Sequence, residues 1–330
     1  MLDNDIILVT GAAGKVGQAF ITKFLAERSA DGPLLRALCH NRMLSEQDGL
    51  ESIRGDISQL EDVKRAMRGV THVVHLATCK ETPHDVMDVT VKGLFWLLEE
   101  CRKSPTFRRF ILLGGDAAMG HFFYPHPDPI TEAQRHTAYP GCYALSKVLE
   151  EVMVEQYRIQ YGLDGCCLRA PWIMEKDDFR FSLSFGEDVF GGPRWRQIVG
   201  VEAADKYLRS GTIPLMLAAD GSPMKRNFVH VYDLVEAIAA ALYEPGAAGK
   251  TFNICMDEPV DYAAVAEYLL STRGVPSVKI PTHFHSTWLD NSRAKFLLGW
   301  RPTVGMTKLV DLSWNYVRDA DDPRTVWYPG

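Results

Sequence analysis

"DIILVTGAAGKVGQAFITKFLAER", residues 5–28, passes from an apolar run through three glycines into apolar residues at helical spacing. The run "IILVT" has the composition of a strand covered on both faces. Gly11, Gly14 and Gly17 follow at intervals of three, and "KVGQAFITKFLAER" then repeats its apolar residues with the helical period. Strand, glycine turn and helix together open a βαβ unit. Glycines at that junction let the backbone turn tightly and approach a pyrophosphate. The helix N-terminus adds free N–H groups and a positive dipole end. The spacing G-x-x-G-x-x-G differs from the commoner G-x-G-x-x-G, and a glycine triplet alone fits any tight turn. Its place between a strand and a helix makes it a candidate dinucleotide loop, with Gly11, Gly14, Lys15, Val16 and Gly17 as contacts.

Outward from this stretch the pattern continues. "LLRALC", "HVVHLAT" and "RRFILLGG" are further near-continuous apolar runs, separated by the helical patterns "LEDVKRAMRG" and "VKGLFWLLEECRKS". The alternation predicts an α/β fold with a parallel, doubly wound sheet. From about Met174 the regularity fades. "DDFRFSLSFGEDVFGGPRW" reads as aromatic, glycine-rich loops, and helical pattern returns in "HVYDLVEAIAAALYE" and "DYAAVAEYLLSTRG".

The 330 residues are 46% hydrophobic and 24% charged, which is ordinary for a soluble globular protein. A net charge of -6 argues against nucleic acid as a partner. No apolar run approaches the roughly 18 residues of a membrane span, and the N-terminus does not read as a secretory signal. Seven scattered cysteines (39, 79, 101, 142, 166, 167 and 255) lack paired metal-ligand spacing and read as reduced thiols, hence a cytoplasmic location. The ten histidines show no zinc pattern, so no metal is expected.

"YPGCYALSK", 139–147, places Tyr143 one helical turn ahead of Lys147, on one face. With the segments around it, the chain resembles the extended short-chain dehydrogenase/reductase family, the NAD-dependent epimerases and dehydratases. "TGAAGKVG" matches that family's glycine loop, and "GDI" at 55–57 its adenine-contacting acid. "HLAT" at 75–78 matches the segment beneath the cofactor, and "YALSK" the Tyr-x-x-x-Lys pair. "KRNFVHVYDLVEAI" and "DNSRAKFLLGWRP" match two late signatures. The resemblance implies a Rossmann domain over 1–173, completed by about 226–255. A smaller substrate-binding cap would span 174–225 and 256–330. It adds Asp56, Ile57, Leu76, Ala77 and Thr78 to the cofactor contacts and makes Tyr143 and Lys147 catalytic. Lys147 would also hold the nicotinamide ribose. It further implies a homodimer built on two helices, "VTVKGLFWLLEECRK" and "YALSKVLEEVMVEQYRIQYG", both with wide apolar faces.

Several positions depart from the family pattern. Gly115 stands where the family has a Ser or Thr, and removing one such donor costs about 10²–10³ in rate. Asp116 matches a general-acid aspartate of dTDP-glucose 4,6-dehydratases, but their next glutamate is Ala117 here. Thr90 and Trp172 replace two family asparagines, the second a contact of nucleotide-sugar diphosphates. Arg226 matches the arginine that meets substrate phosphate. "GDAAMGHFFYP" is similar to the uronate dehydrogenase branch, and Trp172, Phe122, Phe123, Tyr124 and Trp195 are aromatics fit either to stack on a sugar or to pack a core. The second strand ends in Cys39, His40, Asn41 and Arg42 without the acid of most NAD enzymes. NAD or NADP therefore remain as cofactors, with Arg42 leaning the reading to NADP. The expectation is an NAD(P)-dependent oxidoreductase or epimerase of a sugar-like substrate, and the alternative a cofactor-binding sensor or scaffold.

Overall fold

Strand β1 (Ile6–Thr10) is the centre of the molecule, with Ile7, Leu8 and Val9 completely buried. It pairs in parallel with β2 (Leu34–Cys39) on one side and β4 (His72–His75) on the other. Beyond β2 lies β3 (Leu50–Arg54). Beyond β4 follow β5 (Arg109–Gly115), β6 (Gly165–Ala170) and β7 (Thr251–Asn253), giving a seven-stranded parallel sheet of order β3-β2-β1-β4-β5-β6-β7. The computed structural model describes residues 5–186, 193–320 and 322. The doubly wound α/β sheet expected from the alternation is thus the observed fold.

Helices cover both faces. On one face α1 (Lys15–Glu27) packs with a later helix, Val231–Tyr243, around Val16, Phe20, Ile21, Leu234 and Ile238. On the other, α2 (Leu60–Ala66), α3 (Gly93–Lys103) and α4 (Cys142–Tyr161) bury Val63, Leu94, Leu97, Leu98, Val154 and Tyr157 against Leu8, Val73 and Phe110 of the sheet. A π-helical turn, Val86–Lys92, leads into α3. Within it Thr90 accepts a hydrogen bond from Cys79 N at 2.9 Å and so ties the loop after β4 to the helix. The strand order reverses between β1 and β4, where an open α/β sheet leaves a crevice outside its carboxyl ends.

A second core lies apart from the sheet. Short parallel pairs link Trp172–Met174 to Phe228–His230 and Ile213–Leu217 to Ser277–Pro281. Phe179, Phe185, Trp195, Phe228, Tyr262 and Leu309 fill the space beneath them. The aromatic stretch read as loops therefore contains a short helix, Asp178–Ser182, and begins another at Trp195. Trp195 is completely buried and its indole N–H donates to Ser182 O, so it packs a core and is not open to a sugar. Residues 187–192 of that stretch lie outside the described residues.

Candidate active site

The glycine loop turns where β1 ends. Gly11 has φ +65°, and a Cβ there would sit 2.7 Å from Ala77 N, so a side chain is excluded both by conformation and by the neighbouring strand end. A Cβ on Gly17 would lie 2.5 Å from Gly11 O, which brings α1 close beneath the loop. Gly14 is the N-cap of α1 and offers no side chain to the helix terminus, and the first turn has no acid. The uncapped N–H groups of a 13-residue helix suit a pyrophosphate. Thr10 Oγ1 accepts from Leu76 N and Ala77 N, each at 3.2 Å, and joins the ends of β1 and β4. Lys15 turns away from the loop: its ammonium meets Asp178 at 2.5 Å and Ile173 O at 3.1 Å, bridging to the second core. Arg42 donates to Ala13 O. Asp56 receives Ser58 N at 2.8 Å and lies 4.0 Å from His40 Nε2, while Ile57 packs under Gly93. The end of β2 is thus flanked by Asp56 and by the basic side chains of His40, Arg42 and Arg54, the last donating to His40 O at 3.2 Å.

Tyr143 stands in the first turn of α4. Gly141 precedes it at φ 152°, and Glu81, from the loop after β4, accepts from Tyr143 N at 3.3 Å. Lys80 places its ammonium 3.9 Å from the centre of the Tyr143 ring. Lys147 is buried, 5.7 Å from the same ring centre, and donates to Leu113 O at 3.3 Å. Its ion-pair partner is Glu150, at 2.8 Å, one turn further along and fully buried. Burial alone would lower Lys147, but Glu150 and Tyr143 outweigh it and hold the ammonium above its ordinary range. Burial pushes the Glu150 carboxyl up.

Gly115, the last residue of β5, faces this pair. A Cβ built there would lie 3.8 Å from Tyr143 Oη, so a family hydroxyl at this position would stand beside the phenol. Asp116 follows, and its Oδ2 lies 2.7 Å from His121 Nδ1 while Oδ1 has no hydrogen-bond partner among the described residues. His121 adopts φ +48° and stacks on Tyr139 at 5.4 Å, and Tyr139 stacks on Phe123 at 4.8 Å. Burial raises the Tyr139 hydroxyl well above its ordinary range, with Tyr143, Glu81 and Asp116 adding to the effect. Arg226 is buried with its guanidinium over Phe122 at 4.3 Å and Trp172 at 4.6 Å, and its Nη1 is unpartnered among the described residues. Burial lowers it, opposed by Tyr262, Asp116 and Tyr139. Asp116, Tyr139, Tyr143 and Arg226 therefore act on one space.

The candidate residues Gly11 to Gly17, Arg42, Asp56, Ile57, Leu76, Ala77, Thr78, Gly115, Asp116 and Trp172 all follow or end sheet strands, on the crevice side. Tyr143, Lys147 and Arg226 reach the same side. His121, Tyr139, Lys80, Glu81 and Glu150 join them without having been read from the sequence. Only Glu150 carried a usable signal, because three residues from Lys147 on a helix is the same face. Among the described residues no three His, Cys, Asp or Glu side chains converge as a metal site, and no helix is long and apolar enough to cross a membrane.

A glycine loop at a helix N-terminus, a switch-point crevice and a Tyr–Lys pair on one helix define a dinucleotide-dependent α/β enzyme of the extended short-chain type. The model of the NAD dependent epimerase/dehydratase family matches residues 7–174, half of the chain, and the chain belongs to that family. It is 25% identical to UDP-glucuronate 4-epimerase 4 of Arabidopsis thaliana, over 92% of this chain and 74% of the relative. It is also 25% identical to a UDP-glucose 4-epimerase of Mycolicibacterium smegmatis, over 94% and 98%. A solved short-chain dehydrogenase/reductase superfamily protein of Agrobacterium tumefaciens with bound NAD superposes with a TM-score of 0.76 at 24% identity, covering 93% of this chain and 95% of that one.

Proposed function

We propose that this enzyme interconverts a hydroxyl and a carbonyl on a sugar-derived substrate, as a dehydrogenase or epimerase, with Tyr143 carrying the proton. The observation that carries the reading is the position of Gly115 against Tyr143 Oη, with Lys147 one turn below and the glycine loop at the neighbouring strand end. The residues fit a nicotinamide dinucleotide: uncapped N–H groups at Gly14, no side chain at Gly11, and Asp56, His40 and Arg42 at the end of β2 for an adenosine. Bound there, the cofactor supplies the hydride acceptor and donor. Arg42 and the missing acid favour acceptance of NADP beside the NAD known from the Agrobacterium structure.

In the oxidising direction Tyr143 takes the substrate hydroxyl proton as the carbon–hydrogen bond breaks, and it returns that proton on reduction. A free phenol near 10 is a poor base at neutral pH, so the net field of the ammonium groups beside the ring, Lys80 at 3.9 Å and Lys147 at 5.7 Å, matters. The side chain lost at Gly115 is replaced by Asp116 and its partner His121, which lies 2.7 Å away and completes the polar wall beside the substrate oxygen. Arg226, packed against Phe122 and Trp172 and with Nη1 unpartnered among the described residues, takes an anionic group of the substrate, a phosphate or a sugar carboxylate. Thr90 and Trp172 in place of two family asparagines favour a sugar acid or free sugar over a nucleotide sugar. Two such chains associate through α3 and α4, in the cytoplasm, and the cap of 174–225 and 256–330 covers the substrate.

One observation favours a sensor without turnover, the absent hydroxyl at Gly115. A panel of sugars, sugar acids and UDP-sugars with both cofactors, followed at 340 nm and by product analysis, separates the readings. Net oxidation changes absorbance; epimerisation changes the product without it. Tyr143→Phe is expected to lower kcat/KM by about 10²–10⁴. A loss below tenfold would mean that Tyr143 is structural.

A further inference from the structure

Glu150 has no counterpart in the reaction just described, yet it is fully buried and its one ion-pair partner among the lysines and arginines of the described residues is Lys147, at 2.8 Å. Neither carboxylate oxygen has a hydrogen-bond partner of good geometry among the described residues. An isolated carboxylate is costly at such a site, so the lysine holds it as much as it holds the lysine. His75 Nε2 approaches to 4.0 Å from the other side. Thr10 Oγ1 already accepts two backbone N–H groups, so its own proton goes to His75 Nδ1 at 2.8 Å, which leaves the imidazole protonated at Nε2 and facing Glu150. Burial, with Lys147, lowers His75 to about 3, so this ring stays neutral.

We infer that Glu150 is a positioning residue that clamps the Lys147 ammonium and offsets its charge, leaving Lys80 as the uncompensated cation against Tyr143. The inference rests on the proposed proton-carrying role of Tyr143. Lysine at this place favours phenolate only through its net field, and a carboxylate at 2.8 Å cancels much of it. Lys80 lies over the ring with no carboxylate partner among the described residues, so of the two ammonium groups beside Tyr143 the exposed one is left without a paired counter-charge.

The other charged and titratable groups around the set are few. From the loop after β4 Glu81 caps the helix at Tyr143 N, and from the preceding loop Tyr139 remains a neutral phenol. From β5 the nearest is Asp116, paired with His121. From β6 Cys167 is a thiol pushed well up by burial. Glu151, beside Glu150, is occupied by Arg169 and His136. None of these replaces Glu150 at Lys147.

The test needs no substrate. The chain's 12 tyrosines are labelled at Cζ, and the Tyr143 signal is assigned by its loss in Tyr143→Phe and followed against pH. Removing a negative charge favours the phenolate, so Glu150→Gln is expected to move the Tyr143 midpoint down by about one pH unit, two helical turns away. Lys80→Gln removes a positive charge and is expected to move it up, by less at high salt. An unmoved or raised midpoint in Glu150→Gln overturns the inference. Should that variant not fold, Glu150→Asp, which draws the carboxylate back by one methylene, is expected to lower the midpoint by a smaller step, and an unmoved value overturns it equally. Retained turnover in Tyr143→Phe would instead sink the proton-carrier role, whatever Glu150 does to the midpoint.

Discussion

At Gly115 a single missing side chain poses the sharpest question about the site. The backbone there is extended, φ −149° and ψ 149°, and a Cβ meets nothing closer than 3.8 Å, so serine fits without strain. Gly115→Ser is therefore expected to fold with an unchanged melting temperature, and its kcat/KM to stay level or fall, because the hydroxymethyl group enters space beside Tyr143 Oη that substrate uses. A rise of about 10² or more, the size of one restored oxyanion donor, would show that the glycine is a lost function and would favour the sensor reading. At this scale Tyr143 and Lys147 were legible, since a four-residue spacing on a helix fixes a shared face. His121 was not. It reaches Asp116 through a left-handed residue in an irregular turn, where no period relates position to neighbour.

Adjacent acids on α4 have opposite fates because the elements behind them differ. Glu150 pairs with Lys147, with the neutral His75 ring 4.0 Å away, whereas Glu151 faces β6, where Arg169 binds it through two nitrogens at 2.7 and 3.0 Å, and His136 adds a third contact at 2.9 Å. Burial alone would raise Glu151, but His136 and Arg169 hold it at about 2. A depressed carboxyl contributes stability that is complete above its unfolded value, near 4.5, and is lost as pH falls toward 2. The size is up to about 3 kcal/mol. Thermal melts between pH 5 and pH 2 should show this loss, and Glu151→Gln should start lower and flatten the dependence across that window; an equally steep curve in the variant would remove Glu151 as its source. The strands were read well where both faces are covered, as in β1, β2, β4 and β5. The edge strand β3, "LESIR", is only half covered, so its residues never form an apolar run. The elements inside the second core were not read one by one for a related reason: its aromatics come from short, dispersed elements whose periods are too brief to register.

The whole chain leaves apolar residues on the outside of α3, α4 and the turn before α3. Leu145 is 52% exposed and Ile159 63%, with Phe95, Met87 and Val152 also open. Such a face on two neighbouring helices is more than scattered surface apolarity, and a second copy would cover it. Light scattering at micromolar concentration is expected to give twice the chain's 37.0 kDa, and Leu145→Glu with Ile159→Glu to give the single chain. A wild-type monomer would leave that face without an occupant.

The distribution of thiols has a practical side. Five of the seven cysteines are buried, and burial pushes those thiols up, Cys166 to about 12. Only Cys79 and Cys142 are partly open, and both border the Tyr143 loop, Cys142 with its Sγ donating to Glu81. A thiol-directed dye applied to the native protein will therefore mark the mouth of the crevice and leave the interior unlabelled. Denaturation opens the remaining five to the same dye. The chain thus carries its own attachment points for reporting when the cleft fills, with no engineered cysteine.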